Sequence, residues 1–144
     1  DNSHTPDGLE NILKEARKIA KKNKVITVFG CGGDRDRTKR PIMGQIAQKN
    51  SDYFIITQDN PRTEDQEQII KDILPGLTNP DTSSYKIISD RKKAIKHSIE
   101  IAKPNDIVVL AGKGNETYQI IGTKKSHFDD REIAREAIAK KITK

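Results

Sequence analysis

Three short segments gather the side chains whose types and spacing could do chemistry. The first, Gly30-Cys-Gly-Gly-Asp-Arg-Asp-Arg-Thr-Lys-Arg-Pro41, places four cations (Arg35, Arg37, Lys39 and Arg40) after a glycine-rich turn. They stand just ahead of an expected helix N-terminus, whose dipole favours anions and disfavours added positive charge, so the cluster points to an anionic ligand. The glycines would let the backbone approach that ligand closely. A solvated basic loop, partly neutralised by Asp34 and Asp36, explains any one of these charges but not the whole cluster.

The second segment, Asp59-Asn-Pro-Arg62, offers a carboxylate, an amide and a guanidinium in four residues, stiffened by Pro61. Arginine makes forked bonds to carboxylates and aspartate accepts an ammonium, so this set suits an amino-acid ligand better than a phosphate. An Asx-Pro turn carrying a surface arginine fits the same spacing equally well. The third segment, Gly112-Lys-Gly-Asn-Glu-Thr-Tyr118, again exposes backbone groups at glycines and adds Lys113 and Glu116. Gly-Lys-Gly also occurs in ordinary turns, and the weight comes from three such loops recurring at equivalent places.

Those places are set by an alternation of helix and strand. Leu9, Ile12, Leu13, Ala16, Ile19 and Ala20 share one helical face, predicting a helix from Pro6 to Lys22 with Thr5 as its cap. Val25–Phe29, Tyr53–Thr57 and Ile107–Ala111 are short apolar runs rich in β-branched residues, and Tyr85–Ile88 is a weaker one. Between them, helices are predicted to start at Pro41, behind a capping box Thr63-Glu-Asp-Gln66, and behind Asp90. The polar stretch from Thr78 to Ser84 reads as a surface loop. Tyr118–Gly122 and Lys124–Phe128 read as an antiparallel hairpin, and Asp129 or Asp130 caps a last helix. The expected fold is α/β and Rossmann-like: a mostly parallel sheet with helices on both faces and a C-terminal hairpin, with ligands at the carboxyl ends of the strands.

Composition narrows the classes further. The chain has 144 residues, 27 Lys+Arg against 21 Asp+Glu, and 33% hydrophobic residues. This length supports one domain, spanning 1–144. One cysteine permits no internal disulfide, and no apolar run approaches the roughly 20 residues that span a bilayer, so secreted scaffolds and membrane spans are excluded. Nucleic acid is a poor match for the net charge of +6, because aromatic residues make up 4% and lysines are spread over helix surfaces. His97 and His127 read as structural or solvated, and Cys31 has no nearby histidine or second cysteine, so neither a thiol nucleophile nor a metal cage is expected. The chain opens Asp1-Asn-Ser-His without methionine, which suggests a piece of a longer protein.

A dinucleotide site is the reading to weigh against this, since Gly30-x-Gly32 follows a strand and Asp59 closes the next. Arg35, however, stands where G-x-G-x-x-G needs its third glycine, and no P-loop motif is present.

Taken together, several motifs resemble the C-terminal domain of the Mur ligases of the MurE type. They are Asp1-Asn-Ser-His-Thr-Pro-Asp-Gly-Leu-Glu10, Val28-Phe-Gly-Cys-Gly-Gly-Asp-Arg-Asp36 with Lys39-Arg-Pro41, Asp59-Asn-Pro-Arg62, Gly112-Lys-Gly-Asn-Glu116 with Tyr118-Gln119, and Phe128-Asp-Asp-Arg-Glu132. The resemblance implies the third domain of a cytoplasmic, three-domain enzyme that uses ATP and Mg2+ to add the third amino acid of the peptidoglycan stem peptide. Its small-molecule partners would be UDP-MurNAc-L-Ala-D-Glu and meso-diaminopimelate or a close analogue such as lanthionine, and the enzyme would be a monomer. It further implies that Arg35, Asn60 and Arg62 hold carboxylates of the amino acid, and that Asp59, the Gly112 carbonyl and Glu116 hold its distal ammonium. Asp1 and His4 would lie near ATP, no metal ligand would come from this segment, and the segment alone would be inactive. The alternative is a free-standing Rossmann-like module that binds a nucleotide or anion.

Overall fold

The β-branched runs are strands in the computed structural model, which describes residues 4–78, 83–113 and 118–142. In chain order the elements are α1 (Pro6–Ala20), β1 (Val25–Phe29), α2 (Lys39–Asn50), β2 (Tyr53–Ile56), α3 (Gln66–Ile73) and a 3-10 turn (Leu74–Gly76). There follow β3 (Tyr85–Ile87), α4 (Arg91–Ile101), β4 (Ile107–Leu110), β5 (Tyr118–Ile121), β6 (Lys124–His127) and α5 (Asp130–Ile142). Part of the loop predicted between Thr78 and Ser84, residues 79–82, lies outside the described residues.

β1 is apolar at four of its five positions because it is buried on both sides. Val25 and Phe29, with Phe54, Ile56, Val109 and Ala111, pack on Leu9 and Leu13 of α1, Met43 and Ala47 of α2 and Ile70 and Ile73 of α3. Val28 and Ile55 point the other way, onto Ala94 and Ile95 of α4 and Ile133 of α5. Each fully buried Leu or Ile in these layers contributes about 1.5–3 kcal/mol of transfer free energy. The sheet order is β3-β2-β1-β4, with every pairing parallel. The chain therefore builds outward from β1 to β3 and returns to place β4 on the far side of β1. The strand order reverses between β1 and β4, and at such a reversal the loops diverge and leave a crevice at the carboxyl ends.

The helix boundaries follow local chemistry. Thr5 caps α1 by accepting from the Gly8 N–H at 3.1 Å, as expected, but the helix ends at Ala20 rather than Lys22, where Lys21 turns to φ 54°. α2 begins at Lys39, ahead of Pro41, whose missing N–H costs nothing within a first turn. α3 is capped by Asp65, which accepts from Glu67 N, and not by Thr63, whose hydroxyl donates instead to Asp34 Oδ2 at 2.8 Å. Asp90 caps α4 through Lys93 N. At α5 it is Asp129 that accepts from Arg131 N at 2.9 Å, leaving Asp130 for another partner.

β5 and β6 form the expected antiparallel hairpin, turning at Gly122 with φ 63°. It is joined to the main sheet's loops through Arg62, which bridges Ile121 in parallel fashion: Arg62 N donates to Ile120 O at 3.1 Å, and Gly122 N donates to Arg62 O. No helix among the described residues is long and apolar enough to cross a membrane.

Candidate functional site

The three loops singled out by their chemistry meet at one cavity of about 410 Å³ at the carboxyl ends of β1, β2 and β4. Gly30, Gly32 and Arg35 line it from the first loop, Asp59, Asn60 and Arg62 from the second, and Gly112 from the third, with His4 at the N-terminal side. Two of the candidate residues, Asp1 and Glu116, lie outside the described residues.

The first loop is pressed against the second, backbone to backbone. A Cβ on Gly30 would fall 2.2 Å from Thr57 O, and one on Gly33 would fall 1.8 Å from Pro61 O, distances no side chain tolerates. Gly33 N donates to Asn60 O at 2.8 Å. These glycines therefore permit loop-on-loop packing, whereas the sequence suggested that they make room for a ligand. Asp34 completes the clasp by accepting from both the Thr63 N–H and hydroxyl, while its own N–H donates to Glu64 Oε1 at 3.0 Å.

The cation cluster is also divided differently from expectation. Arg40, 1% exposed, donates to both oxygens of Glu64 at 2.5 and 2.8 Å, to Asp72 at 2.9 Å and to Gly32 O at 3.0 Å. Arg37 makes a forked pair with Asp72 at 2.8 and 3.2 Å. Hydrogen bonding to Arg40 pulls the Glu64 carboxyl down to about 2, and the bond from Arg37 holds Asp72 well below the usual carboxylate range. Two of the four cations thus serve the scaffold. Arg35 and Lys39 remain on the cavity wall, Arg35 with a bond to Asp34 O at 3.2 Å.

The second loop presents opposite charges side by side. Arg62 is half-buried with φ 53°, and its Nη1 donates to Gly33 O at 3.0 Å and Asn60 O at 3.3 Å. Its Nε and Nη2 make no hydrogen bond to the described residues, so part of the guanidinium fork is available to an acceptor in the cavity it lines. Asp59 is 8% exposed, and its Oδ1 has no hydrogen-bond donor among the described residues. The nearest cation to that oxygen is the Lys113 ammonium at 3.4 Å. Gly112, at φ 110°, lies where an added Cβ would be 3.7 Å from Asp59 Oδ2.

Two buried cations support this arrangement: Lys113, noted in the third loop without a role, and Arg91, which sequence reasoning passed over. Lys113 bonds Asn60 Oδ1 at 2.8 Å and Tyr118 O at 2.9 Å, with Asp59 Oδ1 at 3.4 Å. Arg91 makes a forked pair with Asp130 at 2.6 and 2.8 Å and also donates to Gln58 O and Ala111 O. Its position was a usable signal, because an arginine in the first turn of a helix opposes the dipole unless an anion faces it.

The remaining candidates sit as follows. Burial pushes the Cys31 thiol up to about 12, and His97 lies 6.5 Å from the Tyr53 ring. His127 is exposed and bonded to Glu132, which raises its pKa. No group of three His, Cys, Asp or Glu among the described residues could hold a metal ion.

A parallel sheet wrapped by helices on both faces, with a cavity where the strand order reverses, defines a Rossmann-like α/β domain. The family described as "Mur ligase, glutamate ligase domain" matches residues 1–114, and the chain belongs to it. It is 53% identical over 142 residues to the UDP-N-acetylmuramoyl-L-alanyl-D-glutamate--2,6-diaminopimelate ligase of Syntrophomonas wolfei subsp. wolfei, covering 99% of this chain and 29% of that protein. The relative of the same name in Synechococcus elongatus is 57% identical over 141 residues, covering 98% of this chain and 28% of its own length. A solved structure of a ligase with that name is 46% identical and superimposes with a TM-score of 0.90, covering 99% of this chain and 29% of that chain. The chain thus spans under a third of the relatives it matches.

Proposed function

We propose that this chain, as one domain over 1–144, is the third domain of a three-domain ligase and holds the incoming meso-diaminopimelate for joining to UDP-MurNAc-L-Ala-D-Glu. The observation that carries the reading is the meeting, on the wall of one cavity, of a partly unengaged Arg62 guanidinium with the Asp59 carboxylate. A ligand that satisfies both carries a carboxylate and an ammonium, and diaminopimelate carries two of each. The names of the relatives support the same reaction.

Arg62, Arg35 and Asn60 would hold carboxylates, and Asp59, the Gly112 carbonyl and Glu116 would hold the distal ammonium. Fixing that end leaves the other amine to be delivered as nucleophile to an activated carboxylate of the UDP-MurNAc dipeptide, the gain being one of proximity and orientation. ATP with Mg2+ supplies the phosphoryl group for that activation. Its binding falls mainly to the rest of the enzyme, since this chain has no P-loop and its described residues offer no metal cluster. His4 on the cavity wall and Asp1 are assigned to the ATP side. We place the enzyme in the cytoplasm as a monomer, working in peptidoglycan precursor synthesis.

The test is kcat/KM of the full-length enzyme for meso-diaminopimelate, lanthionine and lysine, with formation of the peptide product followed directly. Diaminopimelate should be used best, lanthionine nearly as well and lysine poorly, because lysine leaves Arg62 facing no anion. Equal use of lysine would overturn the assignment of the cavity.

A further inference from the structure

Lys113 has a fully buried side chain, and its ammonium reaches groups of the second loop and of the hairpin. A buried ammonium is retained only where its surroundings answer all of its charge and donors, so such a residue has a definite task or is a liability. Here it meets Asn60 Oδ1 at 2.8 Å, Tyr118 O at 2.9 Å and Asp59 Oδ1 at 3.4 Å, with the Phe128 ring centroid 5.9 Å away.

The decisive contact is the one to Asn60. Its Oδ1 accepts from Lys113 Nζ and also from the Ile120 N–H at 3.0 Å. Both of those groups can only donate, which fixes the oxygen as the inward end of the amide. The amide nitrogen is thereby turned away from Lys113. The two ends of an asparagine amide are nearly the same size, so sterics alone do not choose between them, and hydrogen-bond partners do. An amide N–H2 offers a donor to a carboxylate, while an amide turned round would offer a carbonyl oxygen in its place.

Resting on the functional reading above, we propose that Lys113 is a positioning residue for amino-acid recognition, setting through its ammonium which end of the Asn60 amide the ligand meets. The same ammonium forms an ion pair with Asp59 Oδ1 at 3.4 Å, which balances the charge of that carboxylate.

The experiment uses the full-length ligase. Lys113→Met keeps length and removes the charge and every donor; the KM for diaminopimelate should rise about tenfold or more, while kcat and the KM for ATP stay within about twofold. Asn60→Asp keeps an inward acceptor for Lys113 and Ile120 but replaces the outward N–H2 with oxygen. It should raise the KM for diaminopimelate with the thermal midpoint nearly unchanged. In the double variant the two effects should fall well short of multiplying, because both act on one amide. An unchanged KM in folded Lys113→Met, or effects that multiply fully, would overturn the role of Lys113. If Lys113→Met does not fold, an unchanged KM in Asn60→Asp overturns it instead. Wild-type enzyme that ignores diaminopimelate would sink the functional reading itself, whereas wild-type turnover with unaltered variants sinks only this inference.

Discussion

Arg91 Nη2 lies 2.6 Å from Asp130 Oδ2 and its Nε 2.8 Å from Asp130 Oδ1, a forked ion pair in which the two side chains are 0% and 4% exposed. The same guanidinium donates to Gln58 O at 3.1 Å and Ala111 O at 3.2 Å, the residues immediately before Asp59 and Gly112. The pair thus ties the start of α5 to the floor of the cavity. Asp130→Ala strands a buried positive charge and should destabilise the protein by about 3–5 kcal/mol. Urea unfolding measures it, and adding Arg91→Met to Asp130→Ala should recover part of the loss; a double variant weaker than the single would contradict this account.

Arg62 is the residue on which the proposed site's selectivity should turn. Lysine lacks the distal carboxylate, and leaving the guanidinium unanswered forfeits a charge-assisted pair of roughly 1.5–3 kcal/mol. In the full-length enzyme, Arg62→Ala should raise the KM for diaminopimelate sharply and shrink its advantage over lysine. Arg62→Lys should rescue little, since an ammonium cannot reproduce the fork. An unchanged kcat/KM ratio across both variants would show Arg62 to be a turn residue and nothing more.

Acid should loosen the tie between α2 and the loop that leads into α3. Bonding to Arg40 pulls Glu64 down to about 2 in the folded chain, against about 4.3 for an unfolded glutamate. A depressed carboxylate stabilises the fold fully above its unfolded pKa, and that contribution is lost as pH falls through the folded value. Urea midpoints should therefore drop between about pH 5 and pH 2, and Glu64→Gln should drop less over the same window. Equal acid sensitivity in both proteins would count against it.

Cys31 offers an inexpensive probe of the same region. With its thiol pushed up to about 12 by burial, hardly any thiolate exists near neutral pH. A disulfide-exchange reagent should label the native protein far more slowly than the urea-unfolded chain. Equal rates would mean that the first loop opens freely.

The sheet was legible because β1, β2 and β4 are apolar on both faces and end in glycine or Asx-Pro, signals contained within a few residues of each other. The convergence of three loops followed from that topology. What stayed hidden depended on partners far away in the chain. Arg40 was grouped with ligand-facing cations because Glu64 and Asp72, which occupy it, come 24 and 32 residues later. Lys113 looked like part of an ordinary turn because Asn60 lies 53 residues before it. Gly30 and Gly33 announced close backbone approach correctly, but spacing could not say that the neighbour is the Asp59–Arg62 loop.

The bridge between Arg62 and Ile121 makes the second loop a third rung of the hairpin sheet. One residue is therefore shared by two structures: its main chain is set by β5, and its guanidinium points into the cavity. A change at the Gly122-Thr123 turn or along β6, touching no cavity residue, would retune the backbone from which that guanidinium is aimed. The small hairpin is thus mechanically coupled to the arginine, so a shift there would reach the cavity wall through the main chain alone.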